Sequence, residues 1–324
     1  MMRVTNKMMI NETIKNLNTN TLALDKWNRQ LSTGRTLNRP SDNPAGLVKA
    51  MRLRTNIVEG EQYLRNIGEA LNFMETTDSA LDSMGNVLNR VRELTVKAAT
   101  GTNDTGAQAA IADEIKELGE QLKILANTSY GTKRIFAGTN VTESPLVDDG
   151  LGNLTWTGNN TAFEMEIAVG IKFRMNLTNA GTGAESMQNF FTDPNPDPPP
   201  APPLAPGEIQ LATDNGIFGV MSRLENDIRN GNLPEIGAAL TTLDTKIENL
   251  LSARSTIGAK VNRLELQDSR VKNTQISFTG LLSQVEDADM AEVIMQLKMQ
   301  ENVFRATLGA GARIIQPTLI DFLR

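Results

Sequence analysis

The chain contains neither cysteine nor histidine, and that fact removes most of the side-chain chemistry a protein can perform. Zinc, haem and iron–sulfur sites lose their usual ligands. Cys–His and Ser–His–Asp catalysis are excluded, and no disulfide can form. Carboxylate, lysine and tyrosine chemistry remains. Glu164 and Glu166 lie two residues apart, which puts both on one face of a strand; two carboxylates so spaced are common surface chemistry. Glu286-Asp287-Ala288-Asp289-Met290-Ala291-Glu292 is an acidic run, but it lacks the alternating Asp/Asn pattern and central glycine of a calcium loop. A solvated helix face or a helix break is the better reading. Gly309-Ala310-Gly311 follows no strand, so it reads as small residues that let helices approach closely rather than as a phosphate loop. Lys26, Arg29, Arg35 and Arg39 read as ordinary exposed charges near a turn, with steering of an acidic neighbour as the sharper alternative. No catalytic residue, metal site or cofactor is expected.

The elements that carry these residues are mostly helical. Of 324 residues, 40% are hydrophobic but only 4% aromatic. Aliphatic side chains without aromatic bulk suit slender helix packing, where small knobs fill a seam. The net charge of −6, with both signs mixed along the chain, argues against a nucleic-acid partner. No apolar run approaches the ~18–20 residues that span a bilayer, so no membrane partner is expected. The opening Met1-Met2-Arg3-Val4-Thr5-Asn6-Lys7-Met8-Met9-Ile10 is no signal-peptide core, which predicts a different route for any secretion.

Residues 8–31 carry an apolar stripe, Ile10, Ile14, Leu17, Leu24, Trp27 and Leu31, with Thr21 filling one seam position. The spacing predicts one helix that Gly34 ends. Arg39-Pro40-Ser41-Asp42-Asn43-Pro44-Ala45-Gly46 predicts a rigid turn, with Asp42 or Asn43 capping a helix that starts at Pro44. That helix shows Ile67, Leu71, Met74, Leu81, Met84, Leu88 and Val91 on one face. After a loop at 100–106, a third helix carries Ile111, Ile115, Leu118, Leu122 and Leu125, and the short loop predicts an antiparallel hairpin of the two. From about 141 to 192 the period falls towards two. Leu154, Trp156, Phe163, Met165, Ile167, Val169, Ile171, Phe173, Met175 and Leu177 predict a small antiparallel β unit with a modest core of its own.

Residues 193–207 are Pro-rich and predict a stiff polyproline II linker, with an aromatic-groove docking site as the sharper alternative. Helical patterning returns at about 215. Ile247, Leu250, Ile257, Val261, Leu264, Val271, Phe278, Leu282 and Val285 keep heptad-like spacing, interrupted by Arg254, Asp268 and Gln275. One helix over 235–285 would run ~76 Å. The last segment is amphipathic, with Met290, Val293 or Ile294, Leu297, Phe304 and Leu308 on one face, followed by Ile314 and Ile315 and then Leu319, Ile320 and Phe322 beyond Pro317; an apolar end of this kind asks for a partner surface. The predicted fold class is mainly α with a small β insertion. It is an elongated stalk of long antiparallel helices made from both chain ends, with a β-rich tip. The expected domains are 1–40 with 285–324 for assembly, 41–140 with 208–284 as a helical rod, and 141–207 as a β-rich outer part with its linker.

Leu31-Ser32-Thr33-Gly34-Arg35 followed by Asn38-Arg39-Pro40-Ser41-Asp42-Asn43-Pro44-Ala45-Gly46 resembles the N-terminal signature of the flagellin superfamily, and Glu286 to Glu292 resembles its C-terminal partner. Leu125-Ala126-Asn127-Thr128 and Arg134-Ile135-Phe136-Ala137-Gly138-Thr139 match as well. Met2-Arg3-Val4-Thr5 with Met8-Met9, Trp27, and the two prolines where flagellins carry a Lys-Asp-Asp type sequence bring it nearer to the hook-associated proteins of the FlgL type. The resemblance covers about 1–140 and 208–324 and says little about 141–207. It implies a structural role at the junction of hook and filament, outside the cell, after export in an unfolded state by the flagellar type III apparatus. The implied partners are further copies in a ring, an adjoining hook-associated protein, flagellin, and a cytoplasmic chaperone of the FlgN type. The implied subunit interface is the apolar set of the two ends, with the turn Pro40 to Pro44 between shells. Flagellin itself is the nearest alternative; an adhesin or glycan-active β tip on a helical stalk is the more distant one.

Overall fold

The structure is a computed structural model that describes residues 6–100, 104–140, 142–148, 154–159, 161–177, 190–191 and 216–315. Among them are six long helices: α1 (Asn6–Thr33), α2 (Pro44–Ala99), α3 (Thr105–Ala126), α4 (Ile217–Asn230), α5 (Leu233–Glu286) and α6 (Met290–Ile315). Six strands lie between α3 and α4: β1 (Ser129–Tyr130), β2 (Lys133–Arg134), β3 (Leu146–Asp148), β4 (Leu154–Trp156), β5 (Glu164–Ala168) and β6 (Ile171–Arg174). The fold is mainly α with a small β insertion, as the periodicities predict. The Pro-rich run 193–207 lies outside the described residues.

Local rules set the helix ends. The amide of Gly34 donates to the Gln30 carbonyl at 2.9 Å, and its φ of 69° is left-handed, so glycine closes α1 without a Cβ penalty. Asn43 Oδ1 accepts from the Gly46 amide at 2.9 Å, and Pro44 opens α2 where its missing N–H costs nothing. Asp104 caps α3 by accepting from the Ala107 amide. Asp289 Oδ1 does the same for α6, accepting from Ala291 and Glu292.

The chain divides into two compact units, one of Met1–Glu61 with Lys272–Arg324 and one of Gln62–Val271. The expected terminal part, 1–40 with 285–324, falls inside the first unit and the β segment inside the second. Helices α2 and α5 contribute residues to both.

The second unit has a continuous core. Ile67, Met74, Leu81, Met84, Leu88 and Val91 of α2 pack with Ile111, Ile115 and Leu122 of α3, with Met221, Leu224 and Ile228 of α4, and with Leu243, Leu250, Ile257 and Leu264 of α5. Two observations make α2 and α3 an antiparallel hairpin. Arg90 of α2 pairs with Glu114 near the start of α3, and Phe73 meets Tyr130 just beyond its end. The polar seam residue Arg254 is held by Asp78 and Asp82 of α2.

The β segment meets one expectation and departs from another. Its strands are antiparallel, as expected, and among the described residues they pair two by two, as β3–β4 and β5–β6, with β1–β2 just before them. Among the described residues it has no core of its own: Ile167, Phe173 and Met175 join the helical core, and Trp156 stacks on Phe191, which in turn stacks on Phe218 of α4. Strands of two to five residues bury too little to stand alone, so they are stabilised by packing on the helices. Val169 breaks the alternation because it sits in the β5–β6 turn, 77% exposed. Glu164 pairs with Arg174 and Lys172 across that hairpin, and Glu166 accepts from the Gly170 amide in its turn.

Replacing fully buried Leu88 by Ala is expected to destabilise the protein by about 2–5 kcal/mol in chemical denaturation, through the lost contacts and the cavity left behind. A smaller, testable term comes from Lys260, whose ammonium donates to the Asn176 carbonyl at 3.0 Å. Burial, and then the Arg174 charge, hold its pKa below the ordinary lysine value. The unfolded chain therefore binds this proton more tightly than the folded one. The Lys260 contribution rises with pH from the lowered folded pKa up to the unfolded value of about 10.4. The difference in urea midpoint between the wild type and Lys260→Met should drift with pH over that window; a constant difference would refute the assignment.

Candidate functional site at the joint of the terminal helices

The two signature stretches, some 250 residues apart in sequence, meet in the first unit. Where α1 ends, the Thr36 amide donates to the Glu286 carbonyl at 2.7 Å, and the Ala288 amide donates to the Gly34 carbonyl at 2.9 Å. Arg35 and Asp287 form an antiparallel bridge. The Thr36 hydroxyl adds a second bond to the Glu286 carbonyl at 3.1 Å, and the Gln30 amide group reaches the Thr36 carbonyl at 3.2 Å. The turn after α1 and the break between α5 and α6 are thus laced by main-chain bonds, as two edges of a sheet would be.

At the centre sits the Glu286 carboxylate, its side chain 3% exposed. Its Oε1 takes Arg35 Nε at 2.8 Å and the Arg54 guanidinium from α2. A carboxylate so far from water is tolerable only when paired and hydrogen-bonded, and the two arginines, each about half exposed, supply that while keeping their own hydration. Arg35 is therefore not the ordinary exposed charge that the sequence predicts. The other acidic residues have local duties: Ser283 Oγ donates to Asp287 at 2.5 Å, and Asp289 caps α6. Among the described residues no group of three or more acidic side chains is placed to hold a metal ion. The acidic run is a helix break fastened to the opposite end of the chain.

The turn itself is exposed at Pro40, Ser41, Asp42, Asn43 and Pro44. Asp42 Oδ2 accepts from the Asn38 and Arg39 amides at 3.2 and 2.8 Å, and Asn43 caps α2. The rigid turn and its cap are both present.

From this joint α1 and α6 run back antiparallel. Asn20 donates to Thr307 at 3.0 Å and accepts from Gln300 at 3.3 Å, and a Cβ on Gly311 would lie 3.2 Å from Thr13 Cγ2. Gly311, rather than Gly309, is thus the small residue that permits close approach. Of the sequence-predicted set, Ile10, Leu17, Leu24, Trp27, Leu31 and Phe304 are half-buried and Leu297 is buried. Ile14 and Leu308 face outward, 48% and 46% exposed. The backbone of Ile314 and Ile315 is helical, but their side chains, and Leu319, Ile320 and Phe322 entirely, lie outside the described residues. The apolar spacing places Thr21 in the seam; it is exposed and bonds the Leu17 carbonyl, and Asn20 takes that layer. The missed seam residues, Thr13, Asn20, Gln300 and Thr307, are polar. Strict alternation of three- and four-residue steps through 10, 13, 17, 20, 24, 27 and 31 would have found Thr13 and Asn20; a search for apolar residues alone cannot.

This pair has almost no interior. Among the described residues, the buried hydrophobic side chains of the first unit are Ala50, Leu53, Val293 and Leu297. Large apolar side chains lie open on both helices, among them Met8, Leu22, Ile294 and Met295.

Glu286→Ala is expected to leave the joint with two unopposed arginines and to weaken it by about 1–3 kcal/mol. Hydrogen exchange at the Thr36 and Ala288 amides should then quicken by about 10- to 100-fold. Unchanged exchange would show that main-chain bonds alone fasten the two turns.

Comparison with known proteins bears on the same two stretches. The bacterial flagellin N-terminal helical region matches residues 4–141, and the bacterial flagellin C-terminal helical region matches 240–323. A flagellin of Bacillus subtilis is 25% identical over 318 residues, 97% of each chain. A flagellin of Clostridium tyrobutyricum is 30% identical over 141 residues, 43% of this chain; the chain spans only 37% of that relative's length. Among solved structures, the fold resembles FlgL of Xanthomonas campestris, with a TM-score of 0.57 at 15% identity over 70% of this chain and 98% of that one. It also resembles the flagellar junction protein FlgL of Legionella pneumophila, with a TM-score of 0.55 at 15% identity over 75% and 100%. With its two ends matched in order, and those ends fastened together at Glu286, the chain belongs to the flagellin superfamily.

Proposed function

We propose that this protein is a structural junction component of the bacterial flagellum, of the FlgL type, and that it acts by assembly rather than catalysis. The observation that carries the reading is the imbalance of the first unit. Two long helices are fastened to each other, yet they bury few side chains and expose many large apolar ones. Helices of this kind gain most of their stability from tertiary or intermolecular burial, not from propensity, and neighbours in a ring would supply it. The partners are further copies of the chain, an adjoining hook-associated protein on one side and flagellin on the other, outside the cell. A FlgN-type chaperone would cover the α6 segment before export by the type III route. In this layout 1–40 with 285–324 forms the inner assembly part, 41–140 with 208–284 the rod, and 141–207 the outward part. Ile10, Ile14, Leu17, Leu24, Trp27, Leu31, Leu297, Phe304, Leu308, Ile314, Ile315, Leu319, Ile320 and Phe322 are the proposed interface, with the turn Pro40 to Pro44 between shells.

A second reading, flagellin itself, is favoured by the match to the Bacillus subtilis flagellin along nearly the whole of both chains. The prolines of the turn and the likeness of the fold to FlgL structures support the junction reading. Deleting the gene separates the two. Motility should be lost either way, but a junction protein leaves bare hooks and secreted, unpolymerised flagellin under the electron microscope. Purified protein that polymerises without limit on seeding would instead establish a filament subunit.

The interface itself is open to test. Ile14→Asp removes an outward apolar side chain, so the stability of the dilute chain should change by no more than about 0.5 kcal/mol while assembly is lost. Limited proteolysis of the dilute wild type should trim roughly 1–40 and 285–324, and assembly should protect them. Ends that resist protease in the dilute chain would sink the proposal.

A further inference from the structure

Among the described residues the methionines are sorted by unit. Met8, Met9, Met51, Met290, Met295 and Met299 are between 39% and 61% exposed, and all lie in the first unit. Met74, Met84, Met175 and Met221 are at most 4% exposed, and all lie in the second; Met165 there is half-buried against the core. Met295 and Met299 follow one another at a four-residue step on the outer face of α6, with Val303 next in the row. These thioethers are part of the apolar surface left without cover within the chain.

We infer that this exposed methionine surface is a modification site for peroxide-class oxidants, and that its oxidation to sulfoxide is a reversible block on assembly. The inference rests on the assembly reading proposed above. A sulfur lone pair attacks one peroxide oxygen, the S–O bond forms as the O–O bond breaks, and the second oxygen leaves as water. Sulfur is oxidised by two electrons and the peroxide is reduced. The product is polar and chiral where the thioether was apolar and adaptable. The chain has no cysteine, so no thiol competes for the oxidant, and access decides which thioethers react. The buried methionines of the second unit are shielded, so oxidation changes the assembly surface and spares the core. A sulfoxide-reducing enzyme reverses the step, two thiols of that enzyme or its dithiol donor giving up two electrons as they join in a disulfide, and the sulfoxide oxygen leaving as water.

The experiment treats the dilute full-length chain with hydrogen peroxide, maps the added oxygen by peptide mass spectrometry, and measures association by sedimentation. Oxygen is expected on Met8, Met9, Met51, Met290, Met295 and Met299 before Met74, Met84, Met175 and Met221, with circular dichroism unchanged. The concentration needed for association should rise by about tenfold or more, a shift worth about 1.4 kcal/mol or more, and sulfoxide reductase should restore it. A variant with those six methionines changed to Leu should associate with or without peroxide. Oxidised chain that associates like the untreated chain would overturn the inference and leave the assembly reading standing, as would a Leu variant that peroxide disables equally. Untreated chain that does not associate under any condition would overturn both.

Discussion

A carboxylate almost out of contact with water, shared by two arginines, ties the front of this chain to its back. Glu286 closes α5 at the point where the chain must break before α6, and Arg35 sits where it must turn before α2. Placing the pair together brings Thr36 and Ala288 into main-chain pairing, and that pairing fixes where α1 and α6 begin their antiparallel run. The ion pair has little to gain as a source of raw stability, because desolvation offsets much of its attraction. An unpaired Glu286 in that position is costly, so registers that leave it unpaired are disfavoured, and the polar layer of Asn20, Gln300 and Thr307 further along adds a second constraint of the same kind.

The two units use their apolar residues differently. The second encloses them: Phe73, Met74, Leu81, Leu88, Ile115 and Leu122 are shut away from water, and even the short strands contribute to that same core. The first unit leaves them open. A pair of helices offers each partner only one narrow seam, and side chains on the other faces stay in water unless another molecule covers them. That surplus is what a subunit of a larger tube requires. It is also what leaves Met8, Met51, Met295 and Met299 open to solvent. Stability and vulnerability in this unit follow from the same geometry.

The helices, their caps and the order of the elements were legible along the chain, because those depend on local rules. Gly34 ends α1 where a left-handed residue is needed, Asn43 and Pro44 start α2, and heptad-like spacing runs through α5. The absence of Cys and His removes thiol and imidazole chemistry whatever the fold. The two motif stretches were also visible as separate pieces. Their meeting is a product of the folded chain alone. Nothing local to Arg35 says that it will face Glu286, because an ion pair between residues about 250 positions apart leaves no periodic trace. The seam residues Thr13 and Asn20 were hidden for a different reason: they are polar, so only the three- and four-residue spacing, and not an apolar pattern, marks their positions. The β segment showed strands by alternation, but alternation marks only which face is apolar, not what covers it, and the cover proved to be the helical core.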